Sequence, residues 1–278
     1  MKKVTGANHV FCFDHNIRRS TFVEQKNTDA KVQKPISQVH TDYTPTSAPR
    51  RLLDLTQKPK ANDSYASFRS PEDKDKPLIP EELVKKCSRY CMLNVWRSVS
   101  NEGPIQQYPL AVCAADSLKY PDDFVVFEIH YKDRIGENWF VRENSSNQMH
   151  NVASKARNSN PNGDGTQHKW YYYPQMMKNE ALIFKQWDSE GRIQQSVATK
   201  LLDEINQEVK KGNNAEMMSR VVQKTSSACR ESISPNSFDG LSDFCIHTAF
   251  DDPNTDRSGD VFVPDRESIE VRCFALYD

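Results

Sequence analysis

Val39-His40-Thr41-Asp42-Tyr43-Thr44 alternates as a strand does, so His40 and Asp42, two residues apart, point the same way. Pro45 and Pro49 then interrupt the pattern. Upstream, Val10-Phe11-Cys12-Phe13 reads as a short buried strand, and the polar residues 14–38 read as loop with some extended structure. Downstream, residues 58–76 are rich in Lys, Asp, Ser and Asn and read as a solvated linker. Pro80-Glu81-Glu82 opens a helix that should run to about Lys86, with proline in the first turn and acids at the positive end.

Most of the remaining regular segments are β-like. Strands are expected over 90–98, 108–115, 124–131, 169–173, 181–187, 245–250 and 268–277. Residues 142–168 and 225–242 read as loop. Residues 199–223 have helical composition, with Leu201, Leu202, Ile205 and Val209 at helical spacing. The fold class is therefore mainly β with inserted helices (α+β). Short strands joined by irregular loops predict a sandwich, jelly roll or barrel rather than alternating β/α units. One domain spanning 1–278 is expected, carrying polar insertions near 58–76, 151–166 and 190–241.

Composition removes several function classes. The 278 residues are 37% hydrophobic and 27% charged, with a formal net charge of −1. Nucleic acid and anionic membranes both call for a basic excess, which is missing. No apolar run approaches the ~20 residues that cross a bilayer, and residues 1–19 lack the apolar core of a secretory signal. Seven cysteines, an odd number without an export signal, read as reduced and mostly buried thiols of a cytoplasmic protein.

The chemistry-bearing residues point to a metal. His40 and Asp42 on one strand face, with His247 from the segment Cys245-Ile246-His247-Thr248-Ala249-Phe250, would give two imidazoles and a carboxylate. Such a set on one face of an octahedral ion leaves positions open for oxygen and a co-substrate, which suits Fe(II). On spacing alone, His-x-Asp is common, and a surface hydrogen-bonded pair is the simpler account. The C-terminal sequence adds weight. Arg266 and Ser268 could hold the far carboxylate of a 2-oxoacid by a charge-assisted pair plus a hydroxyl bond. Arg257 and Arg272 are the rivals for that role, and a surface pair of Arg266 with Asp265 or Glu267 is the structural alternative. Ser268 opens the final strand, which is expected beside the strand bearing His247. Zinc ligation through Cys245 and His247, or through Cys87 and Cys91, lacks a second pair to complete four ligands. No Gly-rich nucleotide loop and no G-x-S-x-G elbow is present, which leaves a sulfonium-dependent methyltransferase without a cofactor cradle.

A family resemblance rests on blocks that follow one another along almost the whole chain. They are Thr5-Gly6-Ala7, Phe13-Asp14-His15, Arg18-Arg19, Val39-His40-Thr41-Asp42, Asn94-Val95-Trp96-Arg97, Pro109-Leu110-Ala111, Trp170 to Met176, Glu180 to Lys185, Trp187-Asp188-Ser189, His247-Thr248-Ala249-Phe250 with Asp252-Pro253, and Arg266 with Ser268-Ile269-Glu270-Val271-Arg272. Together they resemble the fungal hydroxylase/desaturase family. That family includes the gibberellin desaturase, the AsaB-type enzymes of secondary metabolism and the small subunit of bacterial cephalosporin 7-alpha-methoxylation. The resemblance implies a double-stranded β-helix (jelly-roll) core. It implies hydroxylation or desaturation of a C–H bond in a small natural product, with Fe(II), 2-oxoglutarate and dioxygen. His40, Asp42 and His247 carry over as metal ligands, Arg266 and Ser268 as the co-substrate site, and Trp96 and Arg97 as pocket residues. An ion pair of Arg97 with Asp188 is the alternative for that arginine.

The sequence departs from the family pattern in three ways. The region that usually precedes the Thr-Gly-Ala block is missing, so the chain reads as N-terminally truncated. The polar stretches are longer than the pattern expects. Ala114 stands after Cys113 where an Asp is common, with Asp116 two further on. A truncated, catalytically inactive relative acting as a partner subunit is therefore the competing expectation.

Overall fold

The structure is a computed structural model that describes residues 1–21, 32–132, 134–142, 148–151, 168–191, 194, 243–256, 258, 260 and 262–278. The helix expected over 199–223, the loop over 225–242, Arg257, and nearly all of the insertions near 151–166 and 190–241 lie outside the described residues. Two sheets carry the chain, with few helices between their strands.

In chain order the strands are β1 (His9–Arg19), β2 (Val32–Gln33), β3 (His40–Thr41), β4 (Arg89–Ser98), β5 (Leu110–Cys113), β6 (Phe124–His130), β7 (Ile135–Val141), β8 (Gln148–Asn151), β9 (Lys169–Tyr172), β10 (Leu182–Asp188), β11 (His247–Ala249) and β12 (Glu267–Tyr277). The helices are α1 (Lys2–Thr5), α2 (Ser47–Asp54) and α3 (Glu81–Lys86). One sheet runs β10-β4-β12-β1-β2 and the other β6-β7-β3-β11-β5-β9-β8. Their long neighbours pair antiparallel, as expected of a jelly roll.

The central strand β12 explains how one sheet serves both stability and chemistry. Alternation puts Ser268, Glu270, Arg272, Phe274 and Leu276 on one face. The apolar end, Phe274 and Leu276, packs with Phe13, Tyr90, Met92 and Trp187, and Leu52 of α2 and Val84 of α3 close over the same cluster. The polar end of that face turns to the site. The opposite face carries Ala275, which packs with Ala7, Cys91 and Leu93, and Cys273, whose Sγ lies 3.3 Å from that of Cys12. No disulfide joins the six described cysteines.

Several sequence expectations need correction. β1 runs eleven residues to Arg19 instead of stopping at Phe13. Its polar second half pairs residue by residue with the polar end of β12, Asp14 opposite Arg272 and Asn16 opposite Glu270. Polar composition there marks a strand beside a polar interior rather than a loop. Pro49 does not end structure; it lies in the first turn of α2, where a missing N–H costs nothing. β12 does not lie beside the strand of His247. It sits between β4 and β1 in the first sheet, while β11 sits between β3 and β5 in the second, so the two face each other across the interior.

The stretch 58–76 is anchored, not merely solvated. Asp63 is buried and accepts from Arg51 Nη2 at 2.7 Å and Arg134 Nη1 at 3.0 Å, and Tyr65 joins the core. Burial pushes the Asp63 carboxyl up, but Arg51, the Lys60 backbone N–H and Arg134 outweigh it and hold the group below its usual value. Asp63→Ala would strand the buried Arg51 and should cost about 3–5 kcal/mol in chemical denaturation at neutral pH. Because the folded carboxyl is the stronger acid, its contribution is complete above the unfolded value of about 3.9 and fades as pH falls through the folded one. The gap between wild type and Asp63→Ala should therefore shrink below about pH 4, and a constant gap down to pH 2 would contradict this linkage.

Candidate metal centre

β3 and β11 are neighbours, and His247 is the register partner of His40. Their rings lie 4.4 Å apart between centroids. Asp42 follows on the same face, its Oδ1 3.6 Å from His40 Nε2. One donor atom from each of His40, Asp42 and His247 lies within 4.8 Å of the others, and all three residues are buried. The sequence pattern thus brings together the three residues it singled out.

Hydrogen bonds fix which atoms face inward. His40 Nδ1 is engaged by the Gln38 carbonyl at 2.8 Å, and His247 Nδ1 by the Cys245 carbonyl at 3.2 Å. An Nδ1–H given to a carbonyl leaves Nε2 with its lone pair, the tautomer a metal ligand needs. Asp42 Oδ2 accepts from Asn94 Nδ2 at 3.0 Å and Arg272 Nε at 2.8 Å, so Oδ1 is left toward the imidazoles. Gln186 braces the set from β10. Its Oε1 accepts from the Asp42 N–H at 2.9 Å and Thr41 Oγ1 at 3.0 Å, and its Nε2 lies 3.5 Å from His247 Nδ1.

The electrostatics suit a cation. Burial pushes Asp42 up, yet Arg272 and the two histidines hold it well below the carboxylate range, so it is ionised. Burial, with the His40 charge next, pushes His247 down to about 3, which keeps it neutral. Burial also opposes charge on His40, but the Asp42 hydrogen bond and charge outweigh it and raise the ring's basicity. An ionised carboxylate beside two buried imidazoles, each with Nδ1 on a backbone carbonyl, is a donor set that fits a divalent ion. Two histidines and one carboxylate are the set that non-haem Fe(II) oxygenases use. Of the residues weighed for zinc, Cys245, Cys87 and Cys91 join no ligand group among the described residues.

A second cation lies deeper. Arg266 is 2% exposed. Its Nε donates to Ser268 Oγ at 3.0 Å, its Nη1 donates to the Tyr108 carbonyl, and its guanidinium lies 5.3 Å from the centroid of the Trp96 ring. Arg266 lines a small cavity together with His40, His247, Arg18 and Glu270. Burial and the neighbouring Arg18 pull its pKa down to about 9.

Trp96 and Arg97 part company. Asn94 and Trp96 share the inner face of β4, and alternation sends Arg97 to the other, where it is the register partner of Ile269. Arg97 is half-buried, its Nε donates to the Ser98 carbonyl, and it is not brought to the site. Asp188 is not its partner, being held by Arg89 and Lys185. Sequence reasoning missed Asn94, Gln186 and Arg18 as site residues, and it weighed Arg272 only as a rival for the co-substrate carboxylate, not as the partner of Asp42. Period-two alternation from Ser268 would have put Arg272 inside.

Comparison with known proteins agrees with this geometry. Residues 1–161 match the model of a family described as an oxidoreductase/YMDC permease-like domain. The hydroxylase/desaturase CTB9 of Cercospora beticola is 31% identical over 201 residues, 68% of this chain and 50% of that protein. The chain belongs to the oxidoreductase family of that model, and a hydroxylase/desaturase is among its relatives. The Fe(II)/2-oxoglutarate-dependent dioxygenase nvfI of Aspergillus novofumigatus is 27% identical over 192 residues, 68% of this chain and 51% of that protein. Family membership extends to the fold. The solved structure of the iron and alpha-ketoglutarate-dependent endoperoxidase NvfI matches with a TM-score of 0.52 at 20% identity, covering 99% of this chain and 65% of that one. The chain spans about half the length of the curated relatives it matches. Despite the permease-like wording of the family model, no helix among the described residues is long and apolar enough to cross a membrane.

Proposed function

We propose that this protein is an Fe(II)- and 2-oxoglutarate-dependent oxygenase that hydroxylates or desaturates a C–H bond of a small secondary metabolite, using dioxygen. The observation that carries the reading is the convergence of buried His40, Asp42 and His247 from two neighbouring strands and the residue after one of them. The reading treats residues 1–278 as one jelly-roll domain working in the cytoplasm without nucleic acid or membrane.

His40 and His247 would hold the ion through Nε2 and Asp42 through its free oxygen. The ion together with 2-oxoglutarate would supply oxidising power by coupling decarboxylation of the 2-oxoacid to reduction of dioxygen. The rest falls to the protein. Arg272 and Asn94 keep Asp42 ionised and oriented. Arg266, with Ser268 beside it, would neutralise the far carboxylate of the co-substrate, and Trp96 would support Arg266 from below. Burial of the three ligands keeps bulk water from the reacting atoms.

Anaerobic titration tests this. One equivalent of Fe(II) should bind, and 2-oxoglutarate should then bind and produce a visible charge-transfer band that needs both. Iron uptake with no change on adding 2-oxoglutarate would remove the co-substrate from the reading. Gln186 gives a finer check. Gln186→Ala removes the brace on Asp42 and His247 without removing a ligand, and Fe(II) affinity should fall about 10–100-fold. Unchanged affinity would show that the backbone alone positions the ligands.

A further inference from the structure

The metal centre opens into a cleft of about 900 Å³, at the upper end of the range for small-molecule sites. One wall is aromatic and begins at a metal ligand. The Phe140 ring stands edge-on to His40, 6.4 Å away, and Phe127 stacks on Phe140 at 4.7 Å with 8° between the planes. Ile129 continues this wall along β6. Phe127 is 47% exposed, a large ring held flat toward open space. Exposed aromatic surface on an edge strand is costly unless something covers it.

The other walls are polar, and four of their five arginines are paired with acids. The cleft is lined by five arginines (18, 50, 51, 134 and 272) and five acids (14, 42, 54, 63 and 137), which sum to zero. The arginines are already engaged. Arg51 and Arg134 meet Asp63, Arg272 meets Asp14 and Asp42, Arg50 meets Glu137, and Arg18 donates to the Lys34 carbonyl. Arg18, which donates to a carbonyl, also lines the small cavity of Arg266, so along the rest of the cleft a charged ligand would lose its hydration without gaining a counter-charge.

We propose that the substrate is a neutral, flat, ring-bearing molecule that stacks on Phe127 and Phe140 and directs its reactive C–H toward His40 and Asp42. This rests on the oxygenase reading above and adds the ligand's charge and shape. Rings offset on one another add affinity beyond the area they bury, which makes Phe127 the specificity-determining residue.

The test uses two probes with the same ring system, neutral 1-pyrenemethanol and anionic 1-pyrenesulfonate, titrated by fluorescence into the protein loaded with Mn(II) as a redox-silent ion. The neutral probe should bind at least tenfold more tightly. Phe127→Ala should weaken it about 3- to 10-fold, and Phe127→Tyr should restore it. Val126, on the opposite face of β6 and 55% exposed, is the control: Val126→Ser should change nothing. Bound Mn(II) should broaden the proton resonances of the neutral probe. No binding of 1-pyrenemethanol, a preference for the sulfonate, or indifference to Phe127→Ala while Mn(II) is bound would overturn the proposal. If Mn(II) fails to bind while Phe127-dependent binding persists, the oxygenase reading falls instead, and with it the claim that the occupant is a substrate.

Discussion

Asp42→Ala should abolish stoichiometric Fe(II) binding, and with it all oxygenase turnover. Asp42 is the one carboxylate among the three ligands, and it is ionised in a buried site. Two imidazoles alone provide neither the charge nor the third position that a divalent ion needs there. The substitution also takes a partner from Arg272, and breaking a buried pair can cost about 3–5 kcal/mol. Arg272 keeps Asp14 at 3.0 Å and Glu270 at 3.2 Å, so the fold has a cushion. Asp42→Asn separates the two effects, since an amide can still accept from Arg272 and Asn94 but is a poor ligand. Thermal unfolding of both variants checks the fold, and metal analysis after anaerobic loading checks the site. Full iron retention in folded Asp42→Ala would remove Asp42 from the ligand set.

The ligands were legible in the sequence because strand alternation is a strong local rule. His40 and Asp42 share a face whatever the rest of the chain does, and a hydrophobic run around His247 marks a buried strand. The pairing that makes them neighbours was not legible, since β3 and β11 meet across about two hundred residues and nothing local records it. The same limit explains the misplaced final strand. The pattern of residues 268–277 says strand, but not which sheet. Polar residues caused the other errors. Asp14, Asn16 and Arg18 look like loop until the interior they face turns out to be the polar half of β12, and Asp63 looks solvated until Arg51 is found beneath it. A site that must hold ions buries charge, so reading polarity as exposure fails where function lies.

Arg266→Ala should raise the 2-oxoglutarate requirement at least about 30-fold while leaving iron content unchanged, the effect of truncating one side of a buried charge pair by 2 kcal/mol or more. A 2-oxoacid held at His40, Asp42 and His247 by its keto-acid end extends its other carboxylate into the interior. Desolvating that group without a partner would be prohibitive. Arg266 is suited to meet it, since it lines one small cavity with both histidines and is fixed by Ser268, the Tyr108 carbonyl and the Trp96 face. Burial first and the Arg18 charge second lower its pKa, with Glu270 offsetting part. A bound carboxylate would supply the buried guanidinium with a counter-charge. Arg272 is a poor rival because Asp42, Asp14 and Glu270 already occupy it. Arg18 faces the same cavity but donates to the Lys34 carbonyl, so Arg18→Ala should have the smaller effect. Arg257 lies outside the described residues and serves as the outside comparison. If Arg257→Ala raises the requirement and Arg266→Ala is silent, the co-substrate site has been misassigned. If none of these changes matters and turnover proceeds without a 2-oxoacid, the co-substrate is wrong, and only the iron site of the reading stands.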